Sequence, residues 1–181
     1  NRKTKDTITS EDMGYQKIDK IIECALSQPV QKANIFSIEN PMEIIRSSSI
    51  RWLSDVWIKK MLWEYVKKAN NNAFNFDIKN QADIQFTEYT AKQNDHYDWH
   101  HDVHWNGETD FDRKISITLQ LSDPIEYDGG DFEFDEINTN ADFKKKGTLL
   151  IFPSYLRHRV LPVTSGVRRS LVAWFWGPKW K

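Results

Sequence analysis

The sequence predicts a mainly β fold, a jelly-roll-like pair of sheets with N-terminal helices packed on one outer face. From Ala82 onward, short β-prone runs are separated by turns rich in Gly, Asp and Asn, which is the pattern of a double sheet. Before Ala82, two stretches repeat apolar residues at helical spacing. The strand runs alternate in polarity, so each has one side suited to a helix layer and another suited to an interior cleft.

The length of 181 residues fits one domain, expected to run over 1–181 with a helical N-terminal support (1–81) and a jelly-roll core (82–178). A formal net charge of -1 argues against a protein built to hold nucleic-acid backbones. No apolar run approaches the ~20 residues that span a bilayer. The opening Asn1-Arg2-Lys3-Thr4-Lys5-Asp6 carries no apolar signal segment. A soluble, cytoplasmic location is therefore expected. The single cysteine, Cys24, cannot close an internal disulfide, which suits a reducing compartment.

Taken in order, Asn1 to about Glu11 is polar and expected to be mobile. Ile18, Ile21, Ile22 and Ala25 form the stripe of an amphipathic helix that ends near Ser27-Gln28-Pro29. Residues 30–50 read as an extended or irregular crossing segment. Ser54 or Asp55 can cap a second helix, with Trp57, Met61, Tyr65 and Val66 on one face down to Asn70-Asn71-Asn72. Strands are expected at Ile84–Thr90, Ile115–Leu121, Asp131–Phe134, Thr148–Phe152, Arg159–Val163 and Arg168–Trp176. In the last, Arg168, Ser170, Val172 and Trp174 share one face, while Arg169, Leu171, Ala173 and Phe175 share the other. Ser116, Thr118 and Gln120 oppose Ile115, Ile117, Leu119 and Leu121 in the same way.

The chemistry centres on Tyr97-Asp98-Trp99-His100-His101-Asp102. In extended backbone, residues i and i+2 point to one side, so His100 and Asp102 can converge on one ion while His101 points away. A third donor from His158 would complete a 2-His-1-carboxylate set, which leaves positions on Fe(II) open. Arg168 follows His158 by ten residues. A guanidinium on an inward strand face needs an anionic partner, because burying it unpaired costs several kcal/mol.

The HxD pair, the distal histidine and the arginine ten residues beyond it resemble the Fe(II)- and 2-oxoglutarate-dependent oxygenases. Phe86-Thr87-Glu88-Tyr89, Gln120-Leu121-Ser122-Asp123, Tyr127-Asp128-Gly129-Gly130-Asp131-Phe132, Phe152-Pro153-Ser154 and the run from His158 to Phe175 resemble the prolyl 4-hydroxylase-like branch that includes the PKHD-type hydroxylases. The resemblance covers roughly residues 83–178 and implies a double-stranded β-helix, the jelly roll already expected. It implies His100, Asp102 and His158 as ligands of Fe(II), and Arg168 as the partner of the C5 carboxylate of 2-oxoglutarate. Tyr89, Trp174 and Ser170 would line the cosubstrate pocket; Gln120 would join them at a position where relatives often carry tyrosine. The implied reaction consumes O2, yields succinate and CO2 and hydroxylates an unactivated C–H bond, expected in a prolyl residue of a peptide or protein. Ascorbate would support it. A small-molecule substrate is the main variation.

Two other classes remain at this stage. An AlkB-like nucleic-acid oxygenase would use Lys144 to Lys146, Arg157 and Arg159 on phosphates, against the near-zero net charge. A non-enzymatic jelly-roll module would hold zinc, which prefers a closed tetrahedral site, with His104 as its one available fourth ligand. His96, His101 and His104 are otherwise expected to be hydrogen-bonded or exposed side chains. Gly129-Gly130 is expected to make a tight turn with positive φ, Lys144 to Lys146 a solvated loop, and Trp99 and Trp105 packing surfaces. The substrate-selecting loops are expected within 30–52 and 103–113.

Overall fold

The computed structural model describes residues 8–105, 107–135, 137 and 143–181. Thirteen strands among these form two antiparallel sheets. In chain order they are β1 (Thr9–Asp12), β2 (Gln31–Lys32), β3 (Ile35–Phe36), β4 (Ile44–Ser47), β5 (Ser49–Leu53), β6 (Ala82–Thr90) and β7 (His96–His100). They continue as β8 (Phe111–Gln120), β9 (Tyr127–Gly129), β10 (Phe132–Phe134), β11 (Thr148–Pro153), β12 (His158–Val160) and β13 (Val163–Pro178). The larger sheet runs β1-β11-β8-β13-β6-β5-β2, with β9 also paired to β13. The smaller runs β10-β12-β7-β4-β3. This is the jelly roll that the alternation predicts.

Two helices, α1 (Tyr15–Leu26) and α2 (Val56–Ala69), cover the outer face of the larger sheet. The core forms where Ile18, Ile21 and Ala25 of α1 and Ile58, Leu62 and Val66 of α2 meet Phe86, Leu119, Leu171 and Phe175. Apolar burial of this kind stabilises at roughly 25 cal/mol per Å². The outward set expected on β13, Leu171, Ala173 and Phe175, is fully buried there. Its neighbour Arg169 lies nearer solvent, donating through Nε to Glu88 at 3.0 Å.

Three expectations are corrected. The buried stripe of α2 is Ile58, Leu62, Val66 and Ala69; of the expected face only Val66 belongs to it, Met61 and Tyr65 are partly buried against its edge, and with the exposed Trp57 they line a surface groove between the helices. The two candidate stripes lie one position apart, a rotation of about 100°, and aromatic residues at helical spacing mimic a core face. The N-terminal region is not only helical, since β1 to β5 precede residue 81. Glu11 belongs to β1, which pairs with β11; residues 1–7 lie outside the described residues. The segment 30–50 is extended, as expected, with four paired strands or parts of strands, two of them only two residues long. Ladder partners, not local sequence, make those short strands.

Two ties position the site. Asp95, fully buried, accepts from Ser47 Oγ of the smaller sheet at 2.6 Å and from the Thr90 amide of the larger at 2.9 Å. Past β13, Trp180 donates through Nε1 to the Arg113 carbonyl at 3.2 Å and through its amide to Asp112 at 2.9 Å. No helix among the described residues is long and apolar enough to cross a membrane.

The helix correction sets neighbouring residues against each other. Ile58→Ala should cost about 2–5 kcal/mol of unfolding free energy through the cavity it leaves, whereas Trp57→Ala should cost about 1 kcal/mol or less. Urea unfolding of both variants measures the difference, and equal losses would restore the original stripe.

Candidate active site

Between the sheets lies a cavity of about 380 Å³. His100 at the end of β7 and His158 at the start of β12 face each other across the antiparallel ladder, so adjacent strands present both imidazoles to one point. Asp102 follows two residues after His100, as extended spacing requires. Its amide donates to the Ser154 carbonyl at 2.9 Å, and the Ser154 amide donates to the Lys114 carbonyl at 3.0 Å. These bonds fasten the carboxylate-bearing turn to β8.

The donor atoms of the three side chains lie within 4.8 Å of one another. Asp102 Oδ1 is 3.7 Å from His100 Nε2 and 3.6 Å from His158 Nε2. Each imidazole is oriented from behind: Nδ1 lies 2.7 Å from the Asp98 carbonyl in His100 and 2.8 Å from the Leu156 carbonyl in His158. A carbonyl oxygen only accepts, so Nδ1 carries a proton and Nε2 is the ring nitrogen turned inward as the available ligand atom. Tyr97 stacks on His100 with ring centroids 3.5 Å apart.

Asp102 is held by a hydroxyl relay. Ser116 Oγ donates to Oδ2 at 2.6 Å, and Ser154 Oγ stands 2.9 Å from Ser116 Oγ. Because the Ser116 proton is committed to the carboxylate, the Ser154 hydroxyl is the donor in the second bond. Oδ2 is thereby occupied and Oδ1 remains for an ion.

Burial, with the nearby His158, pushes the His100 pKa down to about 3, so the ring is neutral and able to ligate at neutral pH. Burial would raise the Asp102 pKa, but the two imidazoles and the Ser116 hydrogen bond outweigh it and hold the carboxyl below its ordinary value. Two imidazoles, that of His100 neutral, and an anionic carboxylate fit a ferrous ion, and three protein donors leave room for further ligands. Among the described residues no other His, Cys, Asp or Glu joins the group; His104 lines the cavity rim instead. A closed tetrahedral zinc site is not formed.

Arg168 is 3% exposed and lines the same cavity, with Ser170, Val172 and Trp174 along the inward face of β13. It makes no ion pair with a carboxylate among the described residues. Its Nε donates to Gln120 Oε1 at 3.2 Å, and Gln120 Nε2 donates to Tyr127 Oη at 2.9 Å. Gln120 therefore orients the guanidinium, which sits 5.7 Å from the Tyr89 ring centre. Gly129 and Gly130 take φ of 71° and 65°, as the turn requires. A Cβ on Gly130 would stand 3.3 Å from Arg168 Cδ and 2.9 Å from Val163 Cγ2, so this glycine also leaves room for the arginine stem.

Other sequence candidates have structural roles. Both ring nitrogens of His96 lie near backbone carbonyls, of Asn94 and Ile44. Arg157 pairs with Asp135 and Arg159 with Glu133, both beside Trp99. Lys144, Lys145 and Lys146 pair with Asp131, Asp12 and Asp19. Both expected selecting segments reach the cavity, 30–52 through Ile35, Arg46 and Trp52 and 103–113 through His104 and Arg113.

Sequence reasoning missed Ser116 and Ser154 as supports of Asp102, and Tyr127 as support of Gln120. Their one available signal was the polar face of β8, which marks Ser116 as inward-facing without naming its partner. It placed Arg46 and Arg113 in the selecting segments without singling them out.

Comparison with known proteins agrees with this geometry. The family described as the 2OG-Fe(II) oxygenase superfamily matches residues 84–176. A PKHD-type hydroxylase of a Synechococcus species (strain CC9311) is 48% identical over 61 residues, 33% of this chain and 28% of that protein. One from Crocosphaera subtropica is 33% identical over 93 residues, 50% of this chain and 41% of that protein. The matched stretch thus spans less than half of these relatives. Among solved structures, the viral collagen prolyl hydroxylase of Paramecium Bursaria Chlorella virus-1 superposes with a TM-score of 0.71 at 19% identity, covering 94% of this chain and 96% of that one. A Pseudomonas putida prolyl-4-hydroxylase gives 0.68 at 20% identity, covering 93% and 92%. At such identities the likeness is one of fold.

The relay predicts a graded effect on metal. Ser116→Ala should weaken Fe(II) or Mn(II) affinity about 10- to 100-fold, because Asp102 then loses the donor that holds Oδ2 aside. Calorimetric Mn(II) titration checks this, and an affinity equal to wild type would remove the relay from the metal site.

Proposed function

The chain belongs to the 2OG-Fe(II) oxygenase superfamily, and from that premise we propose that it hydroxylates an unactivated C–H bond in a prolyl residue of a peptide or protein. The observation that carries the reading is the convergence in one cavity of the His100, Asp102 and His158 donors with the carboxylate-free Arg168. The PKHD-type and prolyl hydroxylase relatives motivate the prolyl substrate.

In this reading His100, Asp102 and His158 hold Fe(II), and Arg168 receives the distal carboxylate of 2-oxoglutarate through paired, charge-assisted hydrogen bonds. The chemistry supplied when both are bound is the activation of O2 coupled to decarboxylation of the cosubstrate to succinate and CO2, with one oxygen atom delivered to the substrate C–H. The remaining work belongs to the chain. Nδ1 contacts to the Asp98 and Leu156 carbonyls fix both rings, so donors meet the ion without reorganisation. Ser116 and Ser154 keep Asp102 ionised and oriented. Gln120 and Tyr127 aim Arg168, while Tyr89, Ser170 and Trp174 wall the cosubstrate space and exclude water. His100, His158 and Arg168 sit on strands, which holds these groups in fixed mutual positions for the reaction. Ascorbate is expected to help by keeping the iron ferrous.

A nucleic-acid substrate is less favoured, because Arg157 and Arg159 are already held by Asp135 and Glu133.

The test is incubation of a proline-containing peptide library with protein, Fe(II), ascorbate and 2-oxoglutarate, followed by mass spectrometry. A gain of one oxygen on proline, matched by succinate, is expected, and oxygen gained only on other residues would sink the prolyl reading. Asp102→Ala should abolish succinate formation while the protein stays folded; turnover persisting in this variant would remove Asp102 from the ligand set.

Arg168→Ala should raise the 2-oxoglutarate requirement roughly one hundredfold, with Arg168→Lys recovering only part because an ammonium lacks the planar fork. Arg169→Ala is the internal control, and a large effect there with a small one at Arg168 would reverse the assignment. Initial-rate kinetics against 2-oxoglutarate concentration read all three.

A further inference from the structure

The cavity carries more positive charge than the proposed cosubstrate uses. Three guanidiniums line it, Arg46, Arg113 and Arg168, against a single carboxylate, Asp102. None of the three makes an ion pair among the described residues. A ferrous ion and doubly ionised 2-oxoglutarate cancel each other, so filling the site leaves two positive charges in excess. With Arg168 assigned to the cosubstrate, the excess falls on Arg46 and Arg113.

These two are built into the walls. Arg46 comes from β4 of the smaller sheet and Arg113 from β8 of the larger, so each sheet contributes one. Arg46 donates through Nε to Ser48 Oγ at 2.9 Å and through Nη2 to Gln85 Oε1 at 2.8 Å. Its guanidinium carbon stands 4.7 Å from the centre of the Tyr97 ring, the ring that stacks on His100. Its Nη1 has no partner among the described residues. Arg113 lies over Trp174 at 4.0 Å, and its guanidinium donates to no described group; its buried Nε is unpartnered. Aromatic faces and neutral acceptors hold both side chains still without neutralising them. Desolvated guanidiniums left this way are costly unless an anion arrives.

We infer that the substrate brings a carboxylate next to the hydroxylated carbon, and that Arg113 and Arg46 receive it across the cavity. The inference rests on the assignment of Arg168 to 2-oxoglutarate and narrows the proposed substrate to an acidic one. The carboxylate is either the terminal group of a short substrate or an acidic side chain flanking the target residue. Arg113 and Arg46 are then specificity-determining residues, and a neutral collagen-like repeat is a poor substrate.

The test reads binding, not turnover. Protein saturated with Mn(II) and 2-oxoglutarate is titrated calorimetrically with N-acetylproline and its amide, and with N-acetylleucine and its amide. Each acid should bind at least tenfold more tightly than its amide, with no release of 2-oxoglutarate. In Arg113→Gln and in Arg46→Gln that advantage should fall to threefold or less. The wild-type comparison stands even where a variant fails to fold. N-acetyl-Pro-Glu-amide against N-acetyl-Pro-Gln-amide separates a flanking side chain from a terminal carboxylate, and a tenfold preference in either arm supports the inference. Equal binding of acids and amides in every pair, binding of none of them, or an acid advantage unchanged in both variants overturns it. Hydroxylation of neutral prolyl peptides with no acid preference refutes this inference alone; an acid preference without any hydroxyproline refutes the prolyl reading alone.

Discussion

The site and the core depend on the same constraint, the two-residue period of β13 at the centre of the larger sheet. One face of that strand gives Leu171, Ala173 and Phe175 to the helix-covered core, and the other gives Arg168, Ser170 and Trp174 to the cavity. A slip of one residue would drive Arg169 into the cleft and Arg168 into an apolar layer. Pairing on both sides, Arg168 with Tyr89 on β6 and Leu171 with Leu119 on β8, opposes that slip. Apolar packing on one face therefore fixes the placement of an ionic group on the other.

The alternation was legible because it is written into single residues, and so were the triad and Arg168, whose types and spacing admit few other uses. Supports were harder to read. Ser116 and Ser154 lie far apart in sequence and are unremarkable until β11 and β8 pair. Arg46 and Arg113 fall within the segments expected to select substrate, but nothing local says that the first lies on Tyr97 and the second on Trp174. The two-residue strands β2 and β3 carry no periodicity to detect. In α2 the misreading came from Trp57, Met61 and Tyr65, whose helical spacing is real but whose face only borders the core and opens on a groove.

A formal net charge of -1 conceals a sorting of charge by location. Glu88, Glu133, Asp135, Asp12 and Asp19 pair with basic side chains outside the cavity, where such contacts contribute little to stability. Inside, guanidiniums outnumber carboxylates, and their self-energy is carried by burial elsewhere. Composition averages the two environments and so hides the excess of guanidiniums in the cavity.

Asp95 joins the two sheets at one place, with Ser47 on one side and the Thr90 amide on the other. Thr90 pairs with Val167, beside Arg168, while Trp174 pairs with Asp83 seven residues away along the same ladder, a distance of about 20 Å in extended chain. The sheets are joined again where Arg46 of β4 donates to Gln85 of β6 at 2.8 Å. Arg168 lies next to the Asp95 tie. Trp174, with Arg113 over its ring, lies at the other end of the same ladder, so a single strand lines the cavity from beside a buried carboxylate tie to an aromatic wall.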